Sequence, residues 1–436
     1  MKGKNKLSSN EAWELLIKKY DILSKIKKDG FFIIKASSIK EFNEPRLMAK
    51  WDSSKLLPEV LRKNNINILP ISRSAYIISD FILYQEIPEL EQKVTQMAQV
   101  NIPEYESIDT NNINSESNAI NVLILSGILD DFLETGENVL TFNGRMGTDI
   151  FDFTVNSYSN IKRKVHVKNA QCEIDGGFEN EESAIIMEAK NVVHEDFHIR
   201  QLYYPYRLWN TKVKKPIRLV FAIYSNMIYR LFEYKFNSLE DYSSIELVKS
   251  KNYSLQDVKI TEQELINIRD KTIVKTDDNQ EYTKIPFIQA DSIDRIISLL
   301  ENLYENPMSK NAIAELMNFR PRQSRYYFNA GLYLGIFKEV FEDKQKLVTL
   351  TTLGNKLFKL NYKERQLHIV SLILEHKIFF ELFNETINTG LLPSIKHIED
   401  MILELKILNC KNATSYRRTQ SVSGWITWIF NLTKLG

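Results

Sequence analysis

Cysteine is scarce in this chain, which has only Cys172 and Cys410 in 436 residues. Two cysteines fit a reducing cytosol and exclude both a disulfide scaffold and a cysteine-rich zinc site. The chain also has no run of the roughly 18 to 20 uncharged apolar residues that a helix needs to cross a bilayer. Its first twenty residues contain no continuous apolar segment, which argues against a signal peptide. We therefore expect a cytoplasmic protein without a membrane partner.

A net charge of one sign is absent as well, because 57 lysines and arginines stand against 56 aspartates and glutamates. This balance neither indicates nor excludes a polyanionic partner. From Asp291 onward, however, the chain has 19 basic and 15 acidic residues, which leaves 38 and 41 for the rest. A basic C-terminal third beside a slightly acidic remainder is a mild indication that different parts of the chain do different work.

Two polar segments without apolar periodicity divide the chain, Ser107 to Asn118 and Lys275 to Lys284. They predict an N-terminal α/β region at residues 1–106, a central domain at 107–276 and a C-terminal region at 285–436. A length of 436 residues and 43% hydrophobic residues suit several globular domains, each with its own core.

The central domain shows helix, strand, helix and strand patterns in an order that is typical of an α/β fold with a mixed sheet. The segments are a buried helix at Ala119 to Leu133, strand-like runs at Asp149 to Val155, Val165 to Ile174 and Ala184 to Ala189, a helix at Phe197 to Leu208, and a strand at Ile217 to Tyr224.

The middle strands carry the residues whose side chains could take part in catalysis or metal binding. Asp175 precedes Gly176-Gly177, so we expect its strand to stop at a turn there, and Glu188 and Lys190 follow in the next strand. Side chains alternate along a strand, so Glu188 and Lys190 share a face, and Asp175 lies beside them if the two strands form a hairpin.

Two carboxylates and an ammonium group at one sheet edge suit a Mg²⁺ site, with Asp175 and Glu188 as metal ligands. The ion would activate water and neutralise charge on a phosphate, and Lys190 would hold the water or stabilise that charge. Glu173, expected on the same strand face as Asp175, is a candidate for a further metal ligand. Gln201 is a candidate to hydrogen-bond to a metal ligand or to contact the phosphate. The alternative interpretation is a solvated strand face on which these residue types meet by chance.

A second motif competes with this one. His194-Glu195-Asp196-Phe197-His198 matches the H-E-x-x-H pattern, which on a helix binds zinc with the glutamate as general base. No glutamate, aspartate or histidine lies between His198 and Glu233 to supply a third ligand. The favoured interpretation is a polar helix N-terminus, where the acidic residues complement the helix dipole.

The C-terminal third has the pattern of a winged helix. An amphipathic helix at Asp291 to Tyr304 precedes a short helix at Lys310 to Met317 and a third helix that begins at Pro321. Two strand-like pieces, around Ile336 to Phe341 and Lys346 to Thr351, complete the order. The third helix would enter the major groove with side chains that read bases and phosphates, namely Arg322, Gln323, Arg325, Tyr326 and Asn329. The alternative is a winged helix that mediates protein contacts.

A second DNA-contacting candidate lies in Ser415 to Phe430. Its buried stripe is predicted to contain Val422, Trp425, Ile426 and Ile429, while Arg417 and Arg418 at its start could contact phosphates. The C-terminal region could therefore hold two helix-turn-helix units, although a solvated helix end is the alternative for the arginine pair.

Several strings resemble a known family. IDGG at Ile174 to Gly177, followed by MEAK at Met187 to Lys190, resembles the Asp…Glu-x-Lys core of the PD-(D/E)XK nuclease superfamily. Ile174 replaces the proline of the superfamily name, at a position that varies. Longer strings resemble a group of type II restriction endonucleases: GRMG at Gly144 to Gly147, CEIDGGFE at Cys172 to Glu179, EAKN at Glu188 to Asn191, IRQLYYPYR at Ile199 to Arg207, EPRLMAKWD at Glu44 to Asp52 and ILPISRSAY at Ile68 to Tyr76.

This resemblance covers most of the chain and implies a restriction-endonuclease-like mixed sheet flanked by helices. It also implies Mg²⁺-dependent double-strand cleavage of DNA at a specific site, 5′-phosphate ends, and a cognate DNA methyltransferase that protects the host. Cleavage of a symmetric site favours a homodimer. The strings make Arg145 a candidate DNA contact, and the N-terminal hundred residues are a further candidate DNA-contacting region. The alternatives are a methylation-dependent or repair nuclease with the same core, and a DNA-binding regulator whose nuclease-like sheet is only a scaffold.

Overall fold

The structure is a computed structural model that describes residues 7–90, 93–96, 105–108, 110, 113, 115–275, 287–317, 321–342, 345–407 and 413–435. The expected mixed α/β fold is confirmed: a central seven-stranded mixed sheet is flanked by helices, and the C-terminal region is mostly helical. Cys410 and residues 276–284 of the predicted boundary lie outside the described residues. No helix in the described ranges is both long and apolar enough to span a membrane.

In the described part of the N-terminal region, five helices pack around a three-stranded antiparallel sheet of order β1-β3-β2. Its elements are α1 (Ser9–Tyr20), α2 (Ile22–Asp29), β1 (Phe32–Lys35), α3 (Ala36–Lys40), α4 (Pro45–Ala49), α5 (Glu59–Lys63), β2 (Asn67–Pro70) and β3 (Ala75–Ser79). A capping box starts α1, in which Ser8 and Glu11 each bond the other's backbone N–H. The core is built on Trp13, whose indole N–H donates to the Met48 carbonyl at 3.0 Å.

The central sheet has the strand order β5-β14-β13-β12-β10-β9-β6 and takes β5 from residues before position 107. Its pairs are antiparallel except β10 with β12 and β14 with β5. The elements of this part are β4 (Tyr84–Glu86), β5 (Val94–Gln96), α6 (Glu116–Leu125), α7 (Ile128–Leu133), β6 (Val139–Gly147), β7 (Ile150–Val155), β8 (Arg163–Lys168), β9 (Gln171–Glu179), β10 (Ala184–Lys190), β11 (Asp196–His198), α8 (Arg200–Trp209), β12 (Ile217–Ser225), β13 (Ile228–Phe236), β14 (Ile245–Ser254) and α9 (Glu262–Lys271).

Strand β10 lies inside this sheet and is buried on both faces. Ile186 packs on the side of α8, whereas Ile185 and Met187 pack on the side of α6 and α7. An unbroken apolar run is what a strand covered by helices on both faces requires. Because side chains alternate, Glu188 and Lys190 project on the Ile186 side, toward α8.

Two predictions about the strands before β10 are wrong. The run at Val165 to Ile174 is two strands, β8 and β9, separated at Asn169, whose backbone has a positive φ of 56°. Strand β9 also does not stop after Asp175 but continues through Gly176 and Gly177 to Glu179. The glycines provide space rather than a turn, because a Cβ on Gly177 would overlap the Phe142 ring.

The C-terminal region has the predicted order of three helices and a two-stranded wing. These elements are α10 (Ile293–Glu305), α11 (Lys310–Leu316), α12 (Pro321–Tyr333), β15 (Phe337–Glu342) and β16 (Gln345–Leu350). Five helices follow: α13 (Thr352–Lys359), α14 (Tyr362–Leu374), α15 (Lys377–Thr389), α16 (Ile395–Glu404) and α17 (Ala413–Asn431). The buried stripe predicted for α17 is confirmed, since Val422, Trp425, Ile426 and Ile429 are fully buried.

A buried polar contact docks the C-terminal region on the central sheet. Glu301 of α10 accepts hydrogen bonds from Asn226 N and from Ser225 Oγ, in the turn between β12 and β13. Arg365 of α14 donates to the same carboxylate at 2.8 Å, and Gln366 donates to the Asn226 side chain at 2.7 Å. Charged hydrogen bonds of this kind depend on direction, so they set one orientation for the C-terminal region.

Replacement of Gly177 by alanine tests the close packing of β9. We expect Gly177→Ala to destabilise the protein by about 1–3 kcal/mol, because the new methyl group overlaps Phe142 and must displace it. Gly136→Ala is the matched control, since a Cβ added there would meet no atom of another part of the chain within 4 Å. Thermal unfolding measures both variants. Equal melting temperatures for the two would contradict the packing role of Gly177.

Candidate active site

The register of β9 and β10 brings the three core residues together. Met187 pairs with Gly176, so Glu188 follows beside Asp175 on the adjoining strand. The Asp175 carboxylate accepts a hydrogen bond from the Ala189 N–H at 2.9 Å. Lys190 Nζ lies 2.6 Å from Glu188 Oε1. The predicted juxtaposition of Asp175, Glu188 and Lys190 is therefore present.

Helix α8 supplies a fourth residue to this cluster. Gln201 Nε2 donates a hydrogen bond to Glu188 Oε1, the same oxygen that Lys190 contacts. Gln201 Oε1 is buried and has no hydrogen-bond partner among the described residues. A buried acceptor without a donor is costly unless a ligand or water satisfies it. Gln201 was predicted near the site, and its oxygen is available to accept a hydrogen bond from water or a polar ligand.

Burial controls the charges of the cluster. It raises the pKa of Glu188 to about 8, which outweighs the opposing effect of the Lys190 ammonium. Burial alone would lower the pKa of Lys190, but the carboxylates of Glu188, Glu116 and Asp52 raise it above its ordinary value. Lys190 is thus a cation at neutral pH, and burial makes the anionic form of Glu188 costly.

Glu173 occupies a different position from the one expected of a metal ligand. It lines the same cleft as Asp175, but its carboxylate pairs with Arg145 of β6 at 3.0 Å. The described residues contain no group of three or more histidine, cysteine, aspartate or glutamate side chains arranged to hold a metal ion.

The two carboxylates that meet here, Asp175 and Glu188, nevertheless fit Mg²⁺. This ion commonly uses one or two protein carboxylates and completes its shell with water and phosphate. Glu188, whose pKa is raised by burial, would be stabilised as an anion by a nearby cation.

Two further acids lie near the cluster and were not predicted as site residues. Glu116 starts α6, and its Oε1 lies 4.0 Å from Lys190 Nζ. Asp52, from the N-terminal region, acts electrostatically on Glu188, Lys190 and Glu116. Ser115 before Glu116 is an N-cap signal that could have located the helix start, and Asp52 ends the string EPRLMAKWD. Neither signal shows that Glu116 and Asp52 lie near Glu188 and Lys190, which are far from them along the chain.

The segment His194 to His198 forms neither the zinc site nor the helix N-terminus that its sequence suggested. Residues Asp196–His198 are β11, which pairs with β4, and the two histidines are buried and uncharged because burial lowers the pKa of both. The Asp196 carboxylate instead accepts hydrogen bonds from Ser53 Oγ at 2.6 Å and from Ser54 N at 2.9 Å. A strand places residues four apart differently from a helix, so the pattern has no metal-binding meaning here.

A cleft with a volume of about 1280 Å³ opens over the cluster, and all three parts of the chain line it. Basic side chains surround the acidic centre: Arg46, Lys50, Lys55, Arg62, Arg145, Lys190, Arg200 and Arg322. Acidic side chains in the lining include Asp52, Glu59, Glu116, Glu173, Asp175, Glu188 and Glu315. The lining therefore carries both charges, and its basic side chains are available to contact an anionic ligand.

The predicted DNA-binding side chains of α12 are placed unequally. Arg322 and Arg325 are exposed, whereas Gln323 and Tyr326 are half-buried. Arg322 reaches the cleft that contains Asp175 and lies 5.7 Å from the ring centroid of Tyr326. The first turn of α12 therefore faces the same space as the carboxylate cluster.

The arginine pair of α17 lies next to α12. Arg417 is exposed and Arg418 is half-buried. Burial lowers the pKa of Arg418, with Tyr326 of α12 close enough to oppose this effect. Arg418 Nε is buried without a hydrogen-bond partner in the part of the chain that the structure describes. Arg418 of α17 therefore lies near Tyr326 of α12.

The raised pKa of Glu188 predicts how stability depends on pH without divalent cations. Because folding raises this pKa from 4.5 to about 8, the stability linked to its protonation is complete below pH 4.5 and is lost as the pH rises toward 8. Glu188→Gln should lose less stability over this range in EDTA, as measured by thermal unfolding from about pH 5 to 9. The exposed Glu181→Gln is the control, and it should match the wild type.

If Asp175 and Glu188 hold Mg²⁺, the added ion should raise the melting temperature of the wild type at about pH 8 and leave that of Glu188→Gln almost unchanged, since this variant lacks one of the two carboxylates. Parallel pH profiles for wild type and Glu188→Gln would contradict the assignment of this carboxyl group as the buried acid.

Three family models match successive parts of the chain, and each is described as a domain of unknown function: DUF6996 at residues 10–78, DUF6997 at 79–254 and DUF7226 at 295–434. The carboxylate cluster lies within the second of these matches. No curated protein and no solved structure matches the chain.

Proposed function

We propose that this chain is a Mg²⁺-dependent type II restriction endonuclease that makes site-specific double-strand breaks in DNA. The observation that carries the proposal is the convergence of Asp175, Glu188 and Lys190, joined by Gln201, in a cleft that all three parts of the chain line. The residues that resemble the Asp…Glu-x-Lys core in sequence also lie together in space. A solvated strand face is disfavoured because Glu188 is buried.

Each residue has a definite part in this reaction. Asp175 and Glu188 would hold Mg²⁺, which when bound supplies Lewis-acid activation of water and neutralises charge on the phosphate. Lys190 remains protonated, so it donates hydrogen bonds to the phosphate or the attacking water instead of removing a proton. Gln201 Nε2 holds Glu188 in place, and Gln201 Oε1 is available to accept from a bound water.

The products follow from the bond that breaks. Water attacks phosphorus, the bond from phosphorus to the 3′ oxygen breaks, and that oxygen leaves as a hydroxyl after taking up a proton. The 5′-phosphate ends are what the family resemblance implies. Double-stranded DNA is the proposed partner, a homodimer is the form proposed for cutting both strands, and a cognate methyltransferase is the proposed functional companion.

Replacement of Lys190 separates a nuclease from a DNA-binding regulator. We expect Lys190→Ala to slow Mg²⁺-dependent cleavage of unmodified phage-sized DNA by about 10²–10³-fold, because a charge-stabilising donor is removed. DNA binding should persist in a gel-shift assay. The control is Lys168→Ala, which removes an exposed lysine of β8.

Three outcomes would redirect the proposal. Cleavage at the wild-type rate by Lys190→Ala would contradict the assigned centre. Cleavage of methylated DNA alone would favour the methylation-dependent nuclease. Binding without cleavage of any DNA, with Mg²⁺ present, would favour the regulator.

The exposed arginines of α12 are proposed to contact DNA phosphates. We expect Arg322→Ala with Arg325→Ala to weaken DNA binding and to reduce the slope of log K against log salt by about 1.8, since each phosphate contact contributes about 0.9. The matched control is Lys377→Ala with Lys396→Ala, which removes two exposed lysines from α15 and α16. Fluorescence anisotropy at several salt concentrations measures both. An unchanged salt slope in the arginine variant would exclude α12 from the interface.

A further inference from the structure

One wall of the active-site cleft comes from a part of the chain that the carboxylate cluster itself does not include. The segment from Lys50 to Lys55 belongs to the N-terminal region, and Lys50, Asp52 and Lys55 line the cleft together with Asp175 and Glu188. Asp52 is half-buried there. It contributes negative charge to a centre that already has three acids, Glu116 included.

Hydrogen bonds on both sides of Asp52 hold its backbone against the central domain. The Asp52 carbonyl accepts from the His198 N–H at 3.0 Å, and the Trp51 carbonyl accepts from the Tyr84 hydroxyl at 3.2 Å. The next residue, Ser53, donates to the buried carboxylate of Asp196 at 2.6 Å. Hydrogen bonds with β4 and β11 therefore fix the position of the Asp52 backbone.

The position of Asp52 adds to the negative charge around Lys190. Four carboxylates, those of Asp52, Glu116, Asp175 and Glu188, act on the ammonium group of Lys190. Like charges in a partly buried space repel one another, and a divalent cation relieves this repulsion more than a proton does. The buried acceptor Gln201 Oε1, which lacks a partner among the described residues, independently indicates a polar ligand at the same place.

We propose that Asp52 is a positioning residue of the cation site, through which the N-terminal region strengthens the binding of the divalent cation to Asp175 and Glu188. This inference rests on the proposed nuclease function. Its physical basis is the attraction between the Asp52 carboxylate and a doubly charged ion in a half-buried site. Full affinity for the metal ion therefore requires the N-terminal region to dock on the central domain through Asp196 and β11.

The test compares Mn²⁺ binding by the full-length protein and its variants with electron paramagnetic resonance. We expect Asp52→Asn to weaken Mn²⁺ binding by about tenfold, because it removes one unit charge near the ion without changing the shape of the side chain. Asp52→Glu keeps the charge and should restore most of the affinity. Glu59→Gln is the matched control, since Glu59 lines the same cleft but pairs with Lys63 at 2.7 Å on its own helix.

A cleavage assay adds a second readout. Asp52→Asn should require about tenfold more Mg²⁺ for half-maximal cleavage and should approach the wild-type rate when Mg²⁺ is saturating. A variant that had only lost structure would show a lower rate at every concentration, together with a lower melting temperature in EDTA. That pattern, or Mn²⁺ affinity equal to that of Glu59→Gln, would overturn the role of Asp52.

The failure of the proposed function has a different signature. If the wild-type protein binds Mn²⁺ but cleaves no DNA, the nuclease proposal fails, and the Mn²⁺ comparison still decides the role of Asp52. If the wild-type protein neither binds Mn²⁺ nor cleaves DNA, both proposals are overturned. If it binds and cleaves while Asp52→Asn behaves like the wild type, only the role of Asp52 is rejected.

Discussion

The pairing of β9 with β10 is the constraint on which the candidate site depends. The ladder joins Ala184 to Glu179 and Met187 to Gly176, and it ends where the Asp175 carboxylate accepts the Ala189 N–H. Because side chains alternate along a strand, a slip of one residue would turn Glu188 and Lys190 to the opposite face and away from α8. The apolar residues of β10 oppose such a slip, since each face of this strand is already packed against its own core.

The parts of the chain are oriented around this sheet by buried carboxylates. Asp196 receives hydrogen bonds from Ser53 and Ser54 and thereby places the N-terminal region beside the site. Glu301 receives them from Asn226 and Arg365 and places the C-terminal region. Apolar surfaces tolerate sliding, whereas charged hydrogen bonds at short distances require one alignment. The common cleft is a result of these two alignments.

The strings that resemble restriction endonucleases also have structural roles. In IRQLYYPYR, the Tyr203 hydroxyl donates to the Leu239 carbonyl at 2.8 Å and the Tyr204 hydroxyl donates to the Pro70 carbonyl at 2.9 Å. Gln201, in the same string, holds Glu188. Helix α8 therefore joins the central sheet to the N-terminal region at the point where the site lies. Its buried tyrosines fix the helix in place through their hydroxyl groups. Gln201, in contrast, has a buried oxygen without a hydrogen-bond partner among the described residues.

Local periodicity determined much of this protein from the sequence alone: the shared face of Glu188 and Lys190, the helices and wing of the C-terminal region, and the buried stripe of α17. Such patterns repeat within a few residues, so the sequence displays them directly. Tertiary structure alone decided that Asp52 and Glu116 lie near the cluster, that Glu173 pairs with Arg145, and that His194 to His198 serves β11 and not a zinc site. These outcomes depend on which strands pair and how separate regions dock, and the free energies involved arise between segments far apart along the chain.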